Sequence, residues 1–325
     1  MGLDAARTIS RIVTTMRTTS LGQMTAEGTN TGSFAPSDWG LLLATAGIWG
    51  SSFLWISIGL ESLSPAAIAF VRLALGGIAL SLYPPARRPV DREAWPIIAL
   101  IALVGNAGPA VLYGMAQQRV ESSVAGMITA TTPLCILAIS ILMLRRSPGT
   151  NQVRGLLVGF AGVIIMAAPN VTGADAQPVG VALLLVAVFG YGISSNLTVP
   201  LQQKYGGPAV IMRALFLGTL VLAPWGGSEA IRSSPTRNSL IAVIILGVAG
   251  TGIARAMSAS LGGRTGASRA ALIGYLVPIV AIVLGVVFRD ETVEAAEIAG
   301  TVLILCGAFL ISRKQLDRRP SVPTS

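Results

Sequence analysis

Three arginines interrupt long apolar runs in this chain: Arg72, Arg213 and Arg255. A guanidinium keeps its charge at any physiological pH and presents a flat fork of donors that matches a carboxylate or a phosphate. Arg213 follows Pro208 by only ~7 Å of helix, close enough to the end of its run to snorkel into water. Arg255 is ~9 Å from the end of its own run and Arg72 ~10 Å inside another, and both read as interior-facing groups able to hold an anion or a zwitterion. Polar-edged aromatics share these runs: Trp49, Trp55, Tyr113, Tyr191 and Tyr275, with Asn196 close to Tyr191. In an apolar segment Tyr191 and Asn196 either tie helices together or line a cavity.

Pro133 and Pro278 fall near the middle of two further runs. Each proline lacks an N–H and pushes away the carbonyl four residues earlier, which frees the carbonyls of Thr129 and Gly274. Those oxygens either face a wet cavity, or the prolines serve only as kinks and Thr131 and Thr132 tie the carbonyls up. The candidate binding set is therefore Arg72, Tyr113, Thr129, Tyr191, Asn196, Arg255, Gly274 and Tyr275, with Pro133 and Pro278 as kinks. Catalysis has little to work with. The chain contains no histidine, and its two cysteines, Cys135 and Cys306, sit in separate apolar runs without metal-ligand spacing. No metal, cofactor or nucleophile–base pair is expected, and proton coupling lacks a deep carboxylate; Glu61, Glu121 and Glu297 stay near run ends.

The elements that must position these groups are long and apolar. The chain is 53% hydrophobic and 11% charged, with a mean hydropathy of +0.72. Ten apolar stretches, near 39–60, 65–83, 95–115, 122–144, 153–169, 179–199, 208–225, 240–261, 269–288 and 295–312, each approach the ~20 residues that cross a bilayer core. Continuous apolar runs predict helices, because lipid cannot satisfy an open backbone and a barrel strand would alternate. The expected fold is an all-α polytopic membrane protein of ten transmembrane helices. Residues 1–38 read as a disordered cytoplasmic tail, without the apolar core of a secretory signal, and 315–325 as a second tail.

Positive charge sets the orientation. Placing both termini in the cytoplasm puts 16 lysines and arginines on that side, among them Arg87, Arg145, Arg264 and Arg313, against four outside: Arg119, Arg232, Arg237 and Arg289. The net charge of +9 then serves topology and anionic lipid, with no call for nucleic acid. The expected location is the inner or plasma membrane.

Landmarks recur along the chain. Ser123–Pro133 matches Ser268–Pro278; Gly155 and Gly162 return as Gly300 and Gly307. Nearer the start of each half Pro65 maps to Pro208, the GNAG at Gly105–Gly108 to the GVAG at Gly247–Gly250, and Trp49-Gly50 to Phe189-Gly190. Two repeats, 39–169 and 179–314, follow. Five spans per repeat is an odd number, so the second must be inserted upside down, and the swap of Arg145-Arg146 for Asp290-Glu291 at equivalent positions agrees. The ridge of Gly155, Gly159 and Gly162 is a packing surface and a candidate homodimer seam.

Residues 39–314 resemble the drug/metabolite transporter superfamily, in its ten-helix form built from two EamA-like domains. The resemblance rests on IWGSSF (48–53), SPAAIAFVR (64–72), TATTP before Leu144, RGLLVGFAGVII (154–165), GPAVIMR (207–213), ASRAALIGYLVP (267–278) and IAGTVLILCGAFLI (298–311). It departs from the family pattern in one place: the acidic residue often found after the fourth helix of each half is present only as Glu291, with Arg146 in the first half. The resemblance implies a basket with a central cavity lined by helices 1, 3, 4, 6, 8 and 9, helices 5 and 10 outside, and an alternating-access carrier of a small metabolite such as an amino acid, often outward. A lipid-intermediate flippase of the same fold is one alternative, and a non-transporting membrane sensor or scaffold is another. Reporter fusions after residues 90, 149 and 204 should score cytoplasmic, and those after 62, 175 and 234 external; reversal at any two sites overturns this topology.

Overall fold

A computed structural model describes residues 28–30, 32–120, 122–144, 149–171, 177–289 and 295–312. The tails at 1–27 and 313–325 and the charge pairs Arg145-Arg146 and Asp290-Glu291 lie outside the described residues, as does Glu121. The described chain is almost wholly helical: α1 Pro36–Leu60, α2 Pro65–Ser81, α3 Arg92–Gln117, α4 in two pieces (Ser122–Thr129 and Thr132–Leu144), α5 Thr150–Val171, α6 Pro178–Tyr205, α7 Gly207–Arg232, α8 Arg237–Thr265, α9 in two pieces (Ala267–Ala270 and Leu272–Arg289), and α10 Ala295–Ser312. Among the described residues, α1, α3, α6, α7 and α8 are long and apolar enough to cross a membrane, and the other apolar helices are shorter over their described lengths.

Local chemistry starts and ends these helices. Proline opens α1, α2 and α6, where its missing N–H costs nothing. The Ser64 hydroxyl caps α2 by accepting from the Ala67 N–H at 3.2 Å, and Thr236 caps α8 by accepting from Ser239 N–H at 3.2 Å. The α6–α7 and α8–α9 connections are single-residue reversals at Gly206 (φ +89°) and Gly266 (φ +87°), a conformation that side chains resist.

Helix pairing reveals the symmetry. Exchanging each helix of the first half with its counterpart five places on turns the α1–α9 contact into α6–α4, α3–α6 into α8–α1, and α2–α8 into α7–α3; all six contacts exist. Two pairs, α2–α7 and α5–α10, map onto themselves and so straddle the axis. Both run antiparallel: Gly76 faces Leu215 while Gly226 faces Ala66, and Gly155 faces Ile311 while Gly162 faces Gly300. Equivalent helices that are antiparallel require a pseudo-two-fold axis perpendicular to them. This is the geometry of an inverted repeat.

Side chains divide by location. Leu54, Leu142, Val186, Leu220, Leu240 and Phe309 are exposed on the outer surface, an apolar belt that lipid, not water, would cover. Phe189, the counterpart of Trp49, is among these exposed residues. At the N-terminal end the α2–α3 loop is clamped from α6 and α7. Arg213 donates to the carbonyls of Ala86 (3.2 Å) and Arg88 (2.7 Å). Lys204 pairs with Asp91 at 2.8 Å, and the Tyr205 hydroxyl donates to the same carboxylate. The Lys204 and Tyr205 hydrogen bonds hold the Asp91 carboxyl below its ordinary range.

The glycine ridge of α5 packs against α10 of the same chain. A Cβ on Gly307 would sit 2.5 Å from the Gly155 oxygen, and one on Gly162 would sit 2.7 Å from the Gly300 oxygen. Gly307→Leu should therefore split this contact, costing about 1–3 kcal/mol and lowering the melting temperature in detergent. Gly40→Ala, with open space around its Cβ position, should change it little.

Candidate substrate-binding site

Between the halves lies one cavity, with about 180 Å³ open to water-sized molecules. Helices α1, α3, α4, α6, α8 and α9 line it, with Arg72 from α2 and Ile211 from α7 in addition. Among the described residues, none that lines it comes from α5 or α10. Six of the eight candidate side chains or backbones meet here: Arg72, Tyr113, Thr129, Tyr191, Arg255 and Gly274.

The two arginines enter from opposite halves. Arg72, only 9% exposed, donates through Nε to the Thr251 hydroxyl at 2.9 Å. Arg255 donates to the Tyr191 hydroxyl at 3.2 Å and stacks 5.2 Å from that ring's centroid, a part-buried cation–π contact. Tyr191 in turn lies 5.9 Å from the Tyr113 ring, which lies 6.4 Å from Phe53. The Thr129 hydroxyl donates to the Ala125 carbonyl, so Tyr113 is the donor in its 2.7 Å bond to Thr129. No carboxylate stands within ion-pair distance of either guanidinium among the described residues.

Widened helical turns create the wall at matching places in the two halves. α3 is π-helical over Leu103–Ala107 and α8 over Leu246–Ile253, the GNAG and GVAG segments. Each frees a carbonyl, which a polar side chain five residues later recovers: Asn106 donates to Ile101 O at 3.0 Å, and Thr251 to Leu246 O at 2.9 Å. Trp49 donates to Gly250 O at 2.9 Å across from α1. Single-turn π bulges recur at functional sites because they turn side chains off the regular helical face; here Thr251 is turned toward Arg72.

The kinks are resolved by local bonds. The Thr129 carbonyl freed by Pro133 accepts from the Thr132 hydroxyl, and Thr131 serves Ile128 O at 2.7 Å. Thr129 therefore offers the cavity its hydroxyl, not its carbonyl. Pro133 is buried where α4 meets α9, and a Cβ on Gly274 would touch its ring at 3.4 Å. The ring of Pro278 lies outside the described side chains.

Two candidates stand elsewhere. Asn196, 1% exposed, donates to Ile136 O (3.1 Å) and Gly192 O (2.9 Å), which binds α6 to α4. Tyr275 is fully buried against Gly159 and donates to Leu156 O at 2.9 Å, which binds α9 to α5. Both turn away from the cavity because a backbone carbonyl on a neighbouring helix meets their polar ends. Conversely, Trp49, Asn106, Thr132, Ser194, Ser195, Thr198 and Ser258 line the cavity and were not singled out as ligands. Hydroxyls in apolar helices usually bond their own backbone, so their type carried no usable signal.

A model of the EamA-like transporter family matches residues 39–168 and again 178–313. The chain belongs to the EamA-like transporter family. It is thus a multi-pass membrane transporter and not an enzyme. A probable terminal-alkyne amino-acid exporter of Streptantibioticus cattleyicolor is 27% identical over 88% of this chain and 96% of its own. The inner membrane transporter YedA of Escherichia coli K12, itself uncharacterized, is 29% identical over 85% and 92%. A crystal structure with 18% sequence identity superposes with a TM-score of 0.70, covering 85% of this chain and 96% of that one, and shows the shared fold.

Within this EamA-like frame Tyr275 and Asn196 are structural ties. Tyr275→Phe should remove the side-chain bond to the Leu156 carbonyl and cost about 1 kcal/mol. The expected result is a lower melting temperature with transport per folded molecule unchanged.

Proposed function

We propose that this protein is an alternating-access carrier of a small organic metabolite bearing a carboxylate, an amino acid or a related zwitterion or anion, working as an exporter or an exchanger. The observation that carries this reading is the pair Arg72 and Arg255: one guanidinium from each half, both at the cavity wall, neither offset by a carboxylate among the described residues. Two positive charges held at low dielectric repel each other and lack bulk hydration, so an anion entering between them relieves both costs. The aromatic series Phe53, Tyr113 and Tyr191 offers an apolar and π-rich wall for the rest of the solute. The name of the Streptantibioticus relative, an amino-acid exporter, points the same way.

Among the described residues no carboxylate lines the cavity, which favours exchange or facilitated movement over proton coupling. The 16-to-4 division of lysine and arginine supports both termini in the cytoplasm, and the inner-membrane naming of YedA supports the cell's inner membrane.

Purified protein in liposomes, screened for uptake and thermal stabilisation across amino acids, organic acids, sugar phosphates and cationic drugs, tests the class. Arg255→Ala should reduce transport of the active solute at least ~10-fold, the effect of losing one charge-assisted contact. Arg255→Lys should recover part, since the ammonium keeps charge without the fork. Arg213→Ala, which releases the α2–α3 loop, should act on stability and not on transport. Full activity in Arg255→Ala, or equal transport losses at positions 255 and 213, overturns the anionic-cargo reading.

A further inference from the structure

The α8–α9 reversal, Gly263–Arg269, carries two arginines and sits beside one end of the cavity, whose lining includes Gly262, Ala267, Ala270 and Ala271. The chain ahead of α1 is laid across this reversal. Thr29 N–H donates to Gly263 O at 3.2 Å, and Asn30 N–H donates to Arg264 O at 2.7 Å. Gly28 lies so close that a Cβ would fall 2.3 Å from the Gly266 nitrogen. Arg269, 2% exposed, donates to the carbonyls of Asn30 (3.0 Å) and Gly32 (2.8 Å). Its guanidinium lies 4.6 Å from the centroid of Phe34. Arg264 pairs with Asp38 at 3.0 Å and donates to the Ser37 hydroxyl at 2.8 Å.

We infer that residues 28–30 and 32–38 form a latch that holds this end of the carrier closed, with Asp38–Arg264 as its releasable bolt. The inference rests on the alternating-access reading above, since only a carrier that opens each end in turn needs a closure that can be undone. The pair is built unequally: the Asp38 side chain is fully buried while that of Arg264 is 41% exposed. A buried carboxylate needs its partner, whereas the guanidinium already touches water and can leave when the reversal swings out. Asp38 sits in the first turn of α1 and accepts from the Ala35 N–H at 2.9 Å, so the acid is fixed and the arginine is the moving part. The reversal also rests on α6, through the Gln203 side chain donating to Gly263 O at 3.1 Å, so that contact must part as well.

The inverted repeat supplies an independent parallel. At the opposite end the α3–α4 reversal is met by the chain ahead of α6: Gln177 N–H donates to Arg119 O at 3.3 Å, and Gly180 packs on Val120. In each half, then, the segment preceding the first helix crosses the third-to-fourth-helix reversal of the other half. Arginine-to-carboxylate bonding is found at the N-terminal latch.

The test reads accessibility and needs no known solute. Ser258→Cys, at a cavity-lining position in α8, is introduced into a full-length Cys135→Ala/Cys306→Ala background. Its labelling by a membrane-impermeant maleimide is timed from each face, in spheroplasts and in inside-out vesicles. Asp38→Asn should speed labelling from the N-terminal face at least ~10-fold, the shift produced by losing most of a buried ion pair. Phe34→Ala, which keeps every charge, should shift it in the same direction by a smaller factor. Unchanged rates in both variants, with protein that stays monodisperse, overturn the latch and leave the transport reading standing. Faster labelling in a protein that moves no solute of the screen supports the latch and counts against the cargo reading alone.

Discussion

The structure depends on one constraint: a backbone surrounded by hydrocarbon must satisfy its own hydrogen bonds. That requirement makes the chain helical from α1 to α10 and leaves few places where a polar group is tolerated. Where the helical ladder is broken, at the π turns of α3 and α8 and at Pro133 in α4, a side chain repairs it at once: Asn106, Thr251 and Thr132 each take a freed carbonyl. These three breaks lie beside the cavity, whereas the π turn of α7 at Ala223–Gly227 does not line it. Irregular backbone is tolerated there because protein groups and a cavity, not lipid, are its neighbours.

Duplication solves the second problem, which is how to surround a cavity with helices drawn from both halves. The self-paired helices α2–α7 and α5–α10 pack through glycine so closely that backbone meets backbone. Such contacts have little freedom to slide, and they make the scaffold. The α3–α4 and α8–α9 reversals are held instead by segments that precede α6 and α1, through backbone hydrogen bonds at both and the Asp38–Arg264 ion pair at the second. Apolar glycine seams join the self-paired helices, and polar contacts join the reversals to the segments laid across them.

Much of this was legible from residue order. Apolar runs, arginine placement and the recurring glycines and prolines contain the helical class, the two repeats and the inverted relation, because hydropathy and backbone chemistry are local and periodic. Arg72 and Arg255 were legible as interior groups for the same reason: a charge in an apolar run must find shelter. Position along a helix does not reveal its facing, however. Asn196 and Tyr275 looked equivalent to Tyr191 and Tyr113 by type and depth, yet carbonyls on α4 and α5 capture the first two while the second two face the cavity.

The sequence by itself determined what must be buried and roughly how deep, since the free energy of moving charge and backbone polarity into hydrocarbon depends on composition over a short window. Only the tertiary structure decided which neighbour each buried polar group meets. Thr129 shows the difference: sequence already offered Thr132 as the local partner of its freed carbonyl, but only packing brings its side chain to the Tyr113 hydroxyl on another helix. Asp38 and Arg264 lie 226 positions apart and carry no local sign of each other. Their pairing depends on where α1 begins relative to the end of α8, and that distance exists only after the helices have packed.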